Sequence, residues 1–290
     1  MPGGFDTVVV VDWSASATPS PPRPSADAIW IGIARAGVET TSYHRTRADA
    51  AATLATLFDA EAAAGRRVLA GFDFPFGYPQ GFAARLTGTA GAASVWSWLA
   101  AILADDALNG NNRFDVAARI NRSFGGAGPF WGRPRGLALP DLPETKAVNY
   151  AALGLAERRR VETALPRAQP VWKLYTTGAA GSQALTGLPL IHRLSRRNGC
   201  AVWPFDRIDT PLVLAEIYPS LIDRAVRAAS APGTIKDEVQ VRLLARALSR
   251  LSRSNALDTL LADVPDWPGR ADEGWILGAG HAALLNGALT

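Results

Sequence analysis

The sequence predicts an α/β fold, a ribbon of three meandering strands followed by alternating helices and strands in one mixed sheet, carrying a large insertion. Three observations carry this prediction. Residues 7–11 are an unbroken β-branched run, TVVVV, the pattern of a strand buried on both faces. Residues 28–34 and 38–44 follow as strand-like stretches on either side of a turn at Gly37. After a long stretch without such patterning, residues 212–217 (LVLAEI) restore it.

Taken in order, the first strand ends on Asp12-Trp13-Ser14 and so delivers a carboxylate at its C-terminal end. Four prolines within residues 18–25 make the next stretch a loop, and the second and third strands follow it. Residues 48–64 are rich in Ala and Leu, with Gly65 just past the end, which is a helix with its stop in place. A fourth strand at residues 67–72 closes on Asp73. The following Phe74-Pro75-Phe76-Gly77-Tyr78-Pro79 cannot continue a central strand, because each proline removes a ladder donor.

Residues 80–205 accumulate Gly, Trp and Arg and show strand patterning only near 200–205, so they read as a largely helical and loop insertion facing the site. The core is then residues 1–79 and 206–290. A fifth strand at 212–217 places Glu216 near its end, with Tyr218-Pro219 as the stop. Helices over 236–253 and 272–285 finish the chain, the second stopped by Asn286-Gly287.

Composition narrows the function. With 48% hydrophobic and 19% charged residues and a mean hydropathy of +0.04, the 290-residue chain is neither a disordered tail nor a fibre. Its one cysteine, Cys200, permits no intramolecular disulfide and no cysteine-based zinc cluster, which favours a reducing compartment. No basic-then-apolar leader opens the chain and no apolar run reaches about 18 residues, so a cytoplasmic location without a membrane partner is expected. Only Lys146, Lys173 and Lys236 among 30 basic residues are lysines. Arginine forks suit phosphates, yet a net charge of +4 is small and Ala- and Arg-richness also follows from GC-rich coding, so the basic balance adds only modest weight to a phosphate-bearing partner.

Four carboxylates occupy comparable places: Asp12 after the first strand, Asp73 after the fourth, Glu216 near the end of the fifth and Asp272 at the start of the last helix. Strand ends of such sheets converge on one edge, where ligands bind. Acids gathered there repel one another unless protonated or joined by a divalent cation, and an all-oxygen set suits Mg2+ or Mn2+. Each acid also has a plain structural alternative, since an acid after a strand caps turns and Asp272 can cap its own helix.

VVVVDWSAS, GFDFPFGYP, AEIYPS and a late helix opening with an acid together resemble a widespread bacterial family of predicted ribonuclease-H-like nucleases, known mainly as a domain of unknown function. The resemblance covers both ends of the chain. It implies a ribonuclease-H-like fold and a metal site at Asp12, Asp73, Glu216 and Asp272. Family members often show a different spacing in the last helix, so Glu273 stands as the alternative fourth ligand.

The expected activity is divalent-metal-dependent cleavage of a phosphodiester in a nucleic acid or nucleotide. Asp12 would bridge the ions, Asp73 and Glu216 would complete their shells and Asp272 would hold the second. Lys236, in Thr234-Ile235-Lys236-Asp237-Glu238, either belongs to a helix cap or steadies a phosphate or a reacting water. Within the insertion, residues 125–135 offer Trp131, Arg133 and Arg135 to stack a base and clamp its phosphate. Lys173 opens a second loop, residues 173–183, that resembles an anion cradle without the full phosphate-loop spacing. Ser14 is a further substrate contact, though neither it nor Ser220 sits in a GxSxG elbow. His44, His192 and His281 show no metal-ligand spacing. Two alternatives remain on the sequence: an ATPase-like nucleotide-binding protein of the same fold, and a non-catalytic nucleotide or nucleic-acid binding protein.

Overall fold

The structure, a computed structural model, describes residues 4–126, 128–165 and 167–290. Ala127, within the glycine-rich loop singled out above, lies outside the described residues, as does the start of the chain at residues 1–3. The first half contains β1 (Thr7–Asp12), β2 (Ile29–Arg35), β3 (Val38–His44), α1 (Arg47–Ala63) and β4 (Val68–Phe72). Six helices follow: α2 (Phe82–Thr87), α3 (Ala92–Ile102), α4 (Arg113–Ser123), α5 (Tyr150–Leu153), α6 (Arg160–Ala164) and α7 (Ala180–Ser195). Then come β5 (Cys200–Trp203), β6 (Leu212–Glu216) and a 3₁₀ turn at Pro219–Ile222. The chain closes with α8 (Asp223–Ala229), α9 (Lys236–Arg253), α10 (Leu257–Ala262), α11 (Arg270–Glu273) and α12 (Ala282–Gly287).

The six strands form one mixed sheet in the order β3-β2-β1-β4-β6-β5. β2 runs antiparallel to β1 and β3, whereas β1, β4, β6 and β5 run parallel. Parallel strands need both faces covered, and the residues of β1 divide accordingly: Val9 and Val11 enter one apolar core, Val8 and Val10 the other. The first core holds α1, α3, α4 and α7 with a cluster of aromatic rings; the second holds α9, α10 and α12. α9 is amphipathic, and its Val239, Leu243, Leu244, Leu248 and Leu251 are all buried in the second core. It lies so close to the sheet that a Cβ at Gly32 of β2 would stand 2.5 Å from the Val241 carbonyl oxygen.

Two sequence expectations change here. The segment read as an insertion supplies a strand of the main sheet, because β5 pairs in parallel with β6 from Cys200↔Leu212 to Trp203↔Ala215. The predicted helix over 272–285 is not continuous. Asp272 belongs to the four-residue α11, and Ile276 then pairs with Glu216 before α12 begins at Ala282. Gly274, at φ +68, supplies the left-handed backbone that stops α11.

Among the described residues, no helix is long and apolar enough to cross a membrane.

Candidate functional site

The register places the first two acids side by side. Val11 of β1 pairs with Phe72 of parallel β4, and the Asp73 N–H donates to the Val11 carbonyl at 3.1 Å, carrying the ladder one step past the strand. Asp12 and Asp73 are therefore neighbours at the C-terminal edge, and each carboxyl acts on the protonation of the other. Asp73 Oδ1 also accepts the Trp13 N–H at 2.7 Å, which fixes its orientation.

A third acid arrives from the start of α9, next to Lys236. Asp237, in the first turn of α9, accepts the Asp27 N–H at 2.8 Å, and its charge acts on both Asp12 and Asp73. The electrostatics are one-sided. Burial, then the charges of Asp73, Asp237 and Asp27, push the Asp12 carboxyl well above the usual carboxylate range. Burial pushes Asp73 up to about 7 even though the Trp13 N–H favours its charged form. Burial also raises Asp237. Among the described residues, no lysine, arginine or histidine forms an ion pair with Asp12, Asp27, Asp73 or Asp237.

Two cavities meet at Asp12. One, of about 330 Å³, runs past Asp73 toward Glu216, Ser220 and Gln240. The other, of about 590 Å³, is lined by Ser14, Asp27, Asp237, Arg113 and Tyr175. Gln183 of α7 borders both and ties the insertion to the site by donating from Nε2 to the Trp13 carbonyl at 2.6 Å. Arg47 makes a similar tie from α1, with its guanidinium bound to Asp105 at 2.6 and 2.7 Å and to the carbonyls of Ser14 and Ser16 at 3.0 and 2.8 Å. A further cavity, of about 270 Å³ around Phe5 and Leu257, lies where β1 and β4 begin, away from the acids.

Glu216 reaches the predicted edge but its carboxylate is committed elsewhere. It is 2% exposed, its oxygens accept from both terminal nitrogens of Arg159 at 2.8 and 2.6 Å, and Oε2 also accepts the Phe76 N–H at 2.9 Å. Arg159 bonds Glu162 as well, at 2.7 Å, and although burial works against its charge, the two carboxylates outweigh burial and raise its pKa further. Such a fork satisfies Glu216 without a metal.

Asp272 and Glu273 act as clips for the segment after β4. Asp272 accepts the N–H groups of Gly81 and Gly91 at 2.9 and 2.6 Å, and Glu273 those of Gln80 and Arg160 at 3.1 and 2.6 Å. These occupied oxygens argue against either as the fourth ligand. The same contact explains Gly77, where a Cβ would lie 2.3 Å from the Asp272 carbonyl oxygen.

The other predicted contacts divide. Ser14 lines the larger cavity, its hydroxyl donating to the Asp27 carbonyl at 2.9 Å. Lys236 lies 3.9 Å from Asp223 and is exposed, so the residue that enters the site from this turn is its neighbour Asp237. Lys173 braces its loop through the Thr177 carbonyl at 2.6 Å, while residues 174–179 of that loop line the cavity. Arg133 donates to the Leu142 carbonyl at 2.9 Å, and Arg135 pairs with Glu144 at 3.2 Å with its side chain 93% exposed. Trp131 pairs through its backbone with Lys173. These three residues line neither acid cavity, so the structure does not assemble the predicted base clamp around the acids.

The residues missed were Asp237, Arg113, Gln183 and Arg159. Asp237 had a signal, an acid opening a long amphipathic helix. The others had none, because their roles depend on contacts 57 to 170 positions away.

No protein-family model, curated protein or solved structure matches the chain.

Donor chemistry and charge both bear on whether these residues suit a divalent ion. Asp12, Asp73 and Asp237 offer only hard oxygen donors, and burial raises all three carboxyls, a penalty that a divalent ion would relieve. Among the described residues no group of three acidic, histidine or cysteine side chains is already close enough to enclose an ion. The fit is thus to Asp12 and Asp73 as the primary pair, with Asp237 approaching from α9.

Proposed function

We propose that the chain is a ribonuclease-H-like, Mg2+- or Mn2+-dependent hydrolase of phosphodiester bonds acting on a nucleic acid or nucleotide. The observation that carries this reading is that Asp237 acts on the neighbouring Asp12 and Asp73, with no ion pair to a basic side chain at any of the three among the described residues. The order of the strands supports the fold: an antiparallel meander whose first strand lies beside a parallel one, each ending on an acid, with α9 bringing the third.

Asp12 and Asp73 would hold the ion, and Asp237 would complete its ligands or meet a second one. Bound there, the metal supplies charge stabilisation at the attacking and leaving oxygens of the phosphodiester. The protein's part is orientation. The Trp13 N–H fixes Asp73, the Asp27 N–H fixes Asp237, and Gln183 and Arg47 hold the loop after β1 from the other side. Holding the donors in place before the reaction avoids reorganisation during it.

The test is hydrolysis of bis(p-nitrophenyl) phosphate and of DNA and RNA oligonucleotides by the full-length protein with Mn2+, with and without a chelator. Cleavage that chelation stops, and that Asp12→Asn lowers at least about a hundredfold, supports the reading. Full activity in that variant would overturn it.

A further inference from the structure

We infer that Arg113 and Tyr175 form a nucleotide subsite beside the acids, taking a second phosphate on Arg113 and a base on Tyr175; this rests on the phosphodiesterase reading above. Both residues come from the segment between β4 and β5 and line the 590 Å³ cavity with Asp12 and Asp237.

Arg113 is a cation without a counter-ion. Its Nε donates to Ser182 Oγ at 3.0 Å and its Nη1 to Asn111 Oδ1 at 2.8 Å, both neutral acceptors, while its guanidinium lies 4.3 Å from the Phe114 ring centre. Among the described residues no carboxylate reaches ion-pair distance, and Nη2 has no protein acceptor. The nearby Asp105 is already claimed by Arg47. Burial, with the charge of Arg47 adding to it, lowers the Arg113 pKa to about 10, so the chain holds this charge at a cost that an anion would offset.

The acids and the arginine thus leave opposite charges unbalanced in one cavity. A metal at the acids compensates only one side. A substrate with a single phosphate can satisfy the metal, whereas a second phosphate on the same molecule can also reach the guanidinium. A nucleic-acid strand and a nucleoside diphosphate both carry that chemistry.

Tyr175 supplies the other half. Among the described residues it is one of three large hydrophobic residues that remain exposed, at 45%, and it lines the cavity. Thr176 follows it at φ +70, in the left-handed region, while Leu174 is buried and its N–H donates to the Trp131 carbonyl at 2.9 Å. The loop is therefore anchored on one side of Tyr175 and turned sharply on the other. An exposed ring so presented offers a sequence-tolerant stacking surface for a base.

The test compares the affinity of a thymidine dinucleotide with and without a 5′-phosphate, measured by calorimetry on the full-length protein in Ca2+ so that binding is read without turnover. The wild type should prefer the phosphorylated form at least tenfold. Arg113→Gln should lose that preference while still binding the unphosphorylated dinucleotide, which also shows that it is folded. Tyr175→Ala should weaken both dinucleotides about tenfold, and Tyr175→Phe should restore them. Arg135→Ala, which removes an exposed arginine outside the cavity, should change neither.

A wild type with no preference, or an Arg113→Gln protein that keeps it, would overturn the phosphate assignment; unaltered affinity in Tyr175→Ala would overturn the base assignment. Thymidine 5′-diphosphate separates the sources: tighter binding than the dinucleotide assigns a free nucleotide, weaker binding a strand. Binding with the expected preference but no Mn2+-dependent cleavage would leave this subsite standing and remove the hydrolase reading.

Discussion

Asp73 accepts the Trp13 N–H at 2.7 Å, which locks the end of β4 to the turn after β1 and holds its carboxyl against that of Asp12. Two buried acids held side by side, with no ion pair to a basic side chain among the described residues, form an electrostatic arrangement that a proton or a metal relieves. The sign of that effect gives measurable consequences.

The first is a pH dependence of stability in chelated protein. Asp73 moves from 3.8 to about 7 in the folded chain, and Asp12 is raised in the same direction. Between those values the folded state binds more protons than the unfolded state, so stability falls as pH rises through this window. Thermal midpoints measured in chelator should therefore be lower at about pH 8 than at about pH 5, and Asp73→Asn should flatten the difference. A midpoint that climbs over that interval by the same amount in both proteins contradicts the buried-pair account.

Metal affinity should run the opposite way. Binding requires ionised carboxylates, so Mn2+ should bind more tightly as pH rises through the same window and release protons as it does so. Calorimetry in two buffers of different ionisation enthalpy measures the released protons. No release at about pH 6 would place the metal elsewhere.

Arg159 and Glu216 should behave as structural partners. Arg159→Ala leaves two buried carboxylates uncompensated, which costs about 3–5 kcal/mol. Glu216→Gln keeps an acceptor for the fork and should cost less, about 1–3 kcal/mol. Denaturant unfolding monitored by tryptophan fluorescence checks both. Equal, small losses would mean that the network is not holding the strand end.

Gly77→Ala should destabilise by about 1–3 kcal/mol through overpacking, because the new methyl meets the backbone of Asp272 and Glu273 rather than a movable side chain. The same unfolding measurement applies, and a neutral effect would show that the segment after β4 can shift away from α11.

Much of the sheet was legible because its strands carry their own signal. TVVVV at β1 and LVLAE at β6 are buried on both faces, and Pro75 ends β4 where it stands. Asp12 and Asp73 followed from those strand ends. The fate of Glu216 was not legible, since it depends on Arg159, 57 positions earlier in an irregular segment whose arginine run has no periodicity. Asp272 misled for a related reason: an acid before an apolar stretch looks like a helix start, but its oxygens serve backbone N–H groups at Gly81 and Gly91. Asp237 was not legible because adjacent Lys236 and Asp237 are equally placed at a helix start, and only the helix's docking decides that the acid lines the cavity while the lysine stands near Asp223.

The most direct test of the acid site is Mn2+ titration followed by electron paramagnetic resonance, comparing the wild type with Asp12→Asn and Glu216→Gln at about pH 8, above the value of about 7 to which Asp73 is raised. The account predicts that Asp12→Asn weakens Mn2+ binding at least tenfold while Glu216→Gln binds as the wild type does. Wild-type affinity in Asp12→Asn, or loss of binding in Glu216→Gln from a folded protein, would contradict it.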